Sequence, residues 1–504
     1  MAADLSLPSS KDVLRERYVG KSIVNVDTPA AVINLAAAKR NCERMLQTCD
    51  ALSLGWRAHV KTHKTVELAR LQVGDDAGRP VQLIVSTVAE AEFLTPMLSE
   101  YQRQGRRVNV GPPRRAVVPP PGTMSADAVK VLYGLPLPKG AVSRLAAVAR
   151  TLGEGSVSIL LDDPAQLAMA ADMSAISDVA PHAYIKVDMG GRRAGVVVDG
   201  KQFPVLVDAA LDAHGRGSIQ LAGLYSHAGH SYAGDGRVAA LRMMSAELTS
   251  LLDGADRVRA RASAKGIVDL PSLTLSAGAS PTTLSLQNVA DDEDEKGAPS
   301  GTPSVRAEAG AISTLLETIK GRGHAVEVHA GVYPLLDLQQ LAAHSIRSTH
   351  LSWSDMAFTI LAEVHSIYAG RGADGTDEAL VGAGCLALGR EPCKAYAGMA
   401  IPTAWNRAGV EKPTFDVERY EGYVVGRVSQ EHGILQWRDG RGTASPTTEA
   451  TAADRKLDVE VGQKIRLWPN HACIAGSQFG WYLVVDEDGK GDGIVDVWIR
   501  ARGW

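Results

Sequence analysis

The sequence predicts an α/β fold, a (β/α)8 barrel followed by a second, mostly β domain. Three observations carry the expectation. From about Ser22 to about His344, short apolar runs alternate with longer segments whose apolar residues recur at helical spacing, the habit of βα units around a parallel sheet. Many of these runs pass into polar or glycine-rich segments at their C-terminal ends, the edge on which a parallel barrel carries its chemistry. Beyond about His350 the pattern changes to β-branched runs broken by Gly, Asp and Pro clusters. At 504 residues the chain also exceeds the length at which one hydrophobic core keeps growing. We place the barrel at residues 21–349 and the β domain at residues 350–504 together with residues 1–20.

The elements follow in order. A strand at 23–26 precedes the turn Asp27-Thr28-Pro29, and residues 35–46 have the apolar spacing of a helix. Further strands are expected at 55–60, 82–86, 129–133, 157–161, 183–187, 221–225, 273–276 and 325–328. In the second domain they are expected at 423–428, 464–467, 481–485 and 494–498. Three segments have the composition of insertions: 103–125 with its proline run, 291–304 with its acidic cluster, and 440–455, rich in Thr and Ala.

Composition narrows the function. A formal net charge of −4 argues against polyanions, so no nucleic acid partner is expected. The first twenty residues lack the apolar stretch of a signal peptide, and no run approaches the roughly 18 apolar residues of a membrane span. Five scattered cysteines suit a reducing compartment better than a disulfide framework. The expectation is a soluble, cytoplasmic protein with no membrane partner.

The segment Arg57-Ala58-His59-Val60-Lys61-Thr62-His63-Lys64 gathers basic groups where a short strand ends. A lysine that forms a Schiff base must spend time as the neutral amine, which neighbouring cations and partial burial both favour. A basic loop that binds a phosphate or faces solvent has the same composition. Strand alternation sets His59, Lys61 and His63 on one side, so that Lys61 rather than Lys64 points inward. The segment resembles the Arg-x-His-x-Lys-Thr-His-Lys signature of the family that joins D-serine dehydratases and D-threonine aldolases, relatives of the alanine racemase barrel. The resemblance implies that Lys61 carries pyridoxal 5'-phosphate (PLP) and that Lys64 is structural.

Other motifs fall in the same family order. Lys186-Val187-Asp188-Met189-Gly190, leading to Arg193, resembles a strand and loop of that barrel, although Asp-x-Gly after a strand is ordinarily turn chemistry. The run from Gly223 to Tyr232 resembles the eukaryotic dehydratase pattern, which implies that Tyr225 and Tyr232 contact the cofactor. Tyrosines buried with a satisfied hydroxyl would have the same spacing. A phosphate cup needs small hydroxyls and backbone amides in glycine-rich turns. Ser276-Ala277-Gly278-Ala279-Ser280-Pro281-Thr282 resembles the family's Ser-x-Gly-x-Thr-Pro loop, with Ser280 in the hydroxyl place. Glu327-Val328-His329-Ala330-Gly331-Val332-Tyr333 resembles its Glu-x-His-x-Gly-Asn-Tyr segment, where the backbone at Gly331 and Val332 would face the phosphate and His329 the pyridine nitrogen. Val332 stands where the family has Asn, so only a backbone contact remains there.

Near the end, His471-Ala472-Cys473 offers imidazole and thiolate two residues apart. On an extended strand both would face one side and could bind zinc, although on the pair alone a buried histidine beside an inert thiol is the more ordinary reading. The segments around Glu431-His432-Gly433 and Val495-Asp496-Val497-Trp498 resemble the second domain of the family, in which His-x-Cys binds zinc. Cys473 favours the dehydratase branch, since the aldolase branch has Asp there. The resemblance therefore implies D-serine dehydratase activity: PLP- and zinc-dependent elimination of D-serine to pyruvate and ammonia, with Lys61 as base. The rival is a metal-activated D-threonine aldolase that cleaves D-β-hydroxy amino acids to glycine and an aldehyde. A homodimer is expected by resemblance only.

Overall fold

The structure is a computed structural model, and it describes residues 10–74, 79–103, 129–268, 270–290, 304–405, 420–438, 455–489 and 491–504. The three expected insertions lie almost wholly outside the described residues. The chain divides into two compact units: the described residues up to Asn41 with Val332–Arg500, and Cys42–Gly331 with Ala501–Trp504. The sequence set the changeovers at 20/21 and 349/350. The units change at 41/42 and 331/332 instead, because β1 (Ala30–Asn34) hydrogen-bonds to strands from the C-terminal part of the chain.

The larger unit is a closed barrel of eight parallel strands: β2 (Gly55–His59), β3 (Val81–Val85), β4 (Val129–Pro136), β5 (Val157–Leu161), β6 (His182–Lys186), β7 (Gln220–Tyr225), β8 (Thr274–Ala277) and β9 (Ala325–Ala330). Each pairs with the next in order, and β9 closes on β2 with Arg57 opposite His329. Strands such as VQLIV and VSILL are buried along their whole length, as a parallel sheet covered by helices requires. The covering helices bury one stripe each. In Val142–Leu152, for example, Val142, Leu145, Ala146, Ala149 and Leu152 face inward. Within the barrel Ile84, Leu132, Leu160, Tyr184 and Tyr225 form one cluster, and such side chains stabilise by about 1.5–3 kcal/mol each when fully buried. Strands β7 and β8 run so close at Gly223 that a Cβ there would stand 1.9 Å from the Thr274 carbonyl oxygen.

The second unit is a nine-stranded sheet built on β1, β10 (Phe358–Tyr368), β11 (Glu378–Val381), β12 (Ala400–Ala404), β13 (Gly422–Val428), β14 (Gly433–Arg438), β15 (Lys464–Pro469), β16 (Trp481–Val485) and β17 (Ile494–Ile499). Its spine runs β13-β14-β11-β10-β1-β16-β17, and β15 joins β10 to β12. Among the described residues of this sheet only β1 and β16 pair in parallel. The expected strand at 23–26 is a correction: Ile23–Asn25 form a turn of 3-10 helix, because the Ser22 side chain accepts the Val24 N–H at 3.1 Å. Among the described residues no helix is long and apolar enough to cross a membrane.

Candidate active site

Strand β2 stops at His59, and a turn follows. The Val60 N–H donates to the Ile84 carbonyl at 3.0 Å and the Lys64 N–H to the Val60 carbonyl at 2.8 Å. Lys61, Thr62 and His63 thus lie on the turn at the C-terminal end of the barrel strands, not on a continued strand. The expected alternation fails for His63. Its Nδ1 accepts the Thr65 N–H at 3.0 Å and its Nε2 donates to Gln72 Oε1 at 2.9 Å, which closes the loop. Lys64 has a left-handed φ of +54° and pairs with the buried Glu90 at 2.8 Å. Lys61 Cε instead lies along the backbone of Gly331, 3.5 Å from where a Cβ on that residue would stand.

Two buried imidazoles, His59 and His329, and the half-buried His227 all feel the charge of this amine. Burial first, and then the charge of Lys61, hold the pKa of His59 and of His227 well below the usual histidine value. Burial, Lys186, Arg57 and Lys61 do the same for His329. The three rings are therefore neutral. His227 Nδ1 donates to the Gly278 carbonyl at 2.7 Å. His329 stacks on Tyr225, with ring centroids 4.3 Å apart and 8° between planes. Its Nδ1 is 3.1 Å from Ser276 Oγ, and its Nε2 is buried without a hydrogen-bond partner. Ser276 Oγ donates to Glu327 Oε1 at 2.8 Å, and Arg57 Nε donates to the same oxygen at 2.7 Å. Beyond Tyr225, the Lys186 amine sits 5.0 Å from the ring centroid, and burial pulls its pKa down to about 8. Burial also pushes the Tyr225 phenol up.

The loops after β7 and β8 are tied together by Glu247, a buried carboxylate on the helix Arg237–Ala264. It accepts from Ser226 Oγ and the Ala228 N–H at 2.9 Å each, and from Thr282 Oγ1 at 3.1 Å. Ser280 opens a short buried helix in this corner, and Tyr232 lies half-buried on the 3-10 turn Gly229–Ala233. Gly278, at φ +143°, is obligatory: a Cβ would stand 2.4 Å from both the His329 carbonyl oxygen and Thr283 Oγ1. Lys61, Tyr225, Ser280 and Gly331 thus all lie on barrel strands or on the segments that follow them. Val332 is the first residue of the second unit, where its carbonyl accepts the Leu336 N–H at 2.8 Å.

In the second unit, His471 is the N-cap of the helix Ala472–Ser477, and Cys473 lies on that helix. This corrects the extended-strand geometry but keeps the pair together. Burial disfavours the protonated His471 ring, yet the hydrogen bond and charge of Cys473, then Asp337 and Glu391, outweigh it and hold the pKa up to about 9. The buried Asp337 accepts the Ala472 N–H at 2.9 Å, and a Glu391 carboxylate oxygen lies 3.7 Å from His471 Nδ1. Among the described residues there is no group of three or more His, Cys, Asp and Glu side chains that could hold a metal ion. Imidazole and thiol are both side-chain types suited to zinc.

Sequence reasoning gave no role to Glu247, or to Arg57 with Glu327. A single glutamate in an amphipathic helix reads as a solvent-facing charge, and only the fold brings it under two loops that are distant in sequence. Arg57 and Glu327 stood inside quoted motifs, but their pairing depends on the closure of β9 on β2.

Comparison with known proteins agrees with this layout. The family described as "Alanine racemase, N-terminal domain" matches residues 33–294, and "Putative serine dehydratase domain" matches residues 357–485. The D-serine dehydratase of Schizosaccharomyces pombe is 32% identical, over 98% of this chain and 96% of its own. That of Saccharomyces cerevisiae is 29% identical, over 98% and 100%. Among solved structures, D-threo-3-hydroxyaspartate dehydratase from Delftia sp. HT23 superposes with a TM-score of 0.66 at 27% identity, covering 96% of this chain and 100% of that one.

Proposed function

The chain belongs to the D-serine dehydratase family, and on that footing we propose that it converts D-serine to pyruvate and ammonia with PLP and zinc. The observation that carries the proposal is the arm of Lys61 at the C-terminal end of the barrel, lying along Gly331, with its charge and burial together opposing protonation of His59, His227 and His329. The aromatic stack of Tyr225 on His329, the partnerless Nε2 of His329 and the glycine-kept space at Gly278 and Gly331 fit a phosphorylated pyridine ring.

When bound, PLP supplies an electron sink for the charge left at Cα, and zinc supplies a Lewis acid for a β-hydroxyl. Lys61 is the residue that holds the cofactor, and its Nζ is the base that takes the Cα proton. Tyr225 and Tyr232 orient the cofactor. The Ser280 hydroxyl and the backbone at Gly331 and Val332 bind its phosphate. His471 and Cys473 hold the zinc. A cytoplasmic homodimer acting on a small D-amino acid completes the reading, and five cysteines that form no disulfide with one another support the location.

The test is pyruvate formation from D-serine before EDTA, after EDTA and with zinc restored. Loss on chelation and recovery with zinc are expected. Full activity after verified metal removal would remove zinc from the reading. Glycine and an aldehyde from D-threonine, with no pyruvate from D-serine, would make the chain an aldolase.

A further inference from the structure

We infer that Arg57, Glu327 and Ser276 are positioning residues that keep the proton of His329 on Nδ1, leaving Nε2 as an acceptor for a protonated ring nitrogen of the bound cofactor. The first half follows from hydrogen-bond direction alone. The second rests on the PLP reading above.

A guanidinium only donates and stays charged. Arg57 Nε meets Glu327 Oε1 at 2.7 Å with the two side chains 0% and 4% exposed, so Glu327 is an ionised, acceptor-only carboxylate. Ser276 Oγ lies 2.8 Å from that same oxygen and must place its single hydrogen there, or two sets of lone pairs would face each other. Its oxygen then has only lone pairs for His329 Nδ1 at 3.1 Å, so Nδ1 carries the hydrogen. The ring is neutral, since burial and nearby cations oppose a second proton. Nε2 is therefore bare, and it is buried without a partner.

A neutral imidazole in this state cannot donate to a pyridine nitrogen. It can only accept from one that carries a proton. A pyridinium is the stronger electron sink, so the relay from Arg57 would act on the chemistry through His329 without touching the substrate.

Histidine-selective 15N spectra of the cofactor-free full chain test the tautomer, with His329→Asn to assign the signals. Wild type should show a protonated Nδ1 and an unprotonated Nε2 for His329. Ser276→Ala should move the proton to Nε2 or mix the two forms, and Ser276→Thr should restore the wild-type pattern. A protonated Nε2 in wild type, or an unchanged pattern in Ser276→Ala, overturns the inference. Reconstitution with PLP labelled with 15N in the ring tests the second half. A protonated label in wild type and an unprotonated one in Ser276→Ala are expected, and an unprotonated label in wild type overturns it. Failure of the wild type to take up PLP at all would sink the proposed function, while the cofactor-free spectra still decide the tautomer.

Discussion

Replacing Arg57 by Met should destabilise the barrel by about 3–5 kcal/mol, the usual cost of leaving a buried charge without its partner. Arg57 is wholly buried and donates to Glu327 at 2.7 Å and to Gln82 Oε1 at 3.0 Å. At an effective dielectric constant of about 20, a charge pair at that separation attracts by about 6 kcal/mol gross. Much of this offsets the desolvation of both groups, so the net value of the intact pair is small and the penalty for halving it is large. The remaining Glu327 would keep only the Ser276 hydroxyl among its direct partners. With roughly 2–4 °C per kcal/mol for a domain of this size, the barrel transition should fall by about 6–20 °C. Calorimetry of wild type, Arg57→Met and Arg57→Met/Glu327→Leu measures it. The double variant should recover at least about 1 kcal/mol over the single one, because it removes the orphaned carboxylate. A single variant within about 1 kcal/mol of wild type, or a double variant no better than the single, would refute the reasoning.

Four further outcomes are expected. Lys61→Ala should abolish both the cofactor absorbance band and pyruvate formation while leaving the folded circular dichroism spectrum, and survival of either signal contradicts its role. His471→Ala and Cys473→Ala should each lose bound zinc by elemental analysis and lose D-serine turnover with it; retained stoichiometric zinc in both would exclude the pair as ligands. Gly278→Ala should cost about 2–4 kcal/mol and lower cofactor uptake, since its Cβ would meet the His329 carbonyl oxygen at 2.4 Å; unchanged melting and uptake would count against that corner. Burial, with Arg57 adding to it, pulls the Lys130 pKa down to about 7 from 10.5. Between those values the unfolded chain binds more protons, so stability should rise from pH 7 towards pH 10. Lys130→Met should remove that slope in urea titrations across the range, and an identical slope in the variant would show that Lys130 is not its source.

Much of this was legible in the linear chain. Runs such as VSILL at 157–161 and the stripe of Val142–Leu152 are local patterns, and all eight barrel strands stand within a few residues of where those patterns put them. The C-terminal strands at 423–428, 464–467, 481–485 and 494–498 were legible for the same reason. β1 was not, because AAVIN is short and runs directly into a helix, and its partners lie more than three hundred residues away. The His471-Cys473 pair was visible, but its helix-cap geometry was not, since nothing in two residues reports the Asp337 carboxylate that accepts the Ala472 N–H.

The sequence by itself determined the alternation of strands and helices, the position of Lys61 at a strand end and the order of the glycine-rich loops, because periodicity, turn chemistry and motif spacing are properties of neighbours. Only the tertiary structure decided that His63 and Lys64 serve the loop while Lys61 lies along Gly331, and that Glu247 holds two loops together. It also brought Arg57, Glu327, Ser276 and His329 into one hydrogen-bonded row. Those outcomes depend on which buried donors and acceptors meet across the closed barrel, and residues far apart in the chain meet only once the barrel has closed.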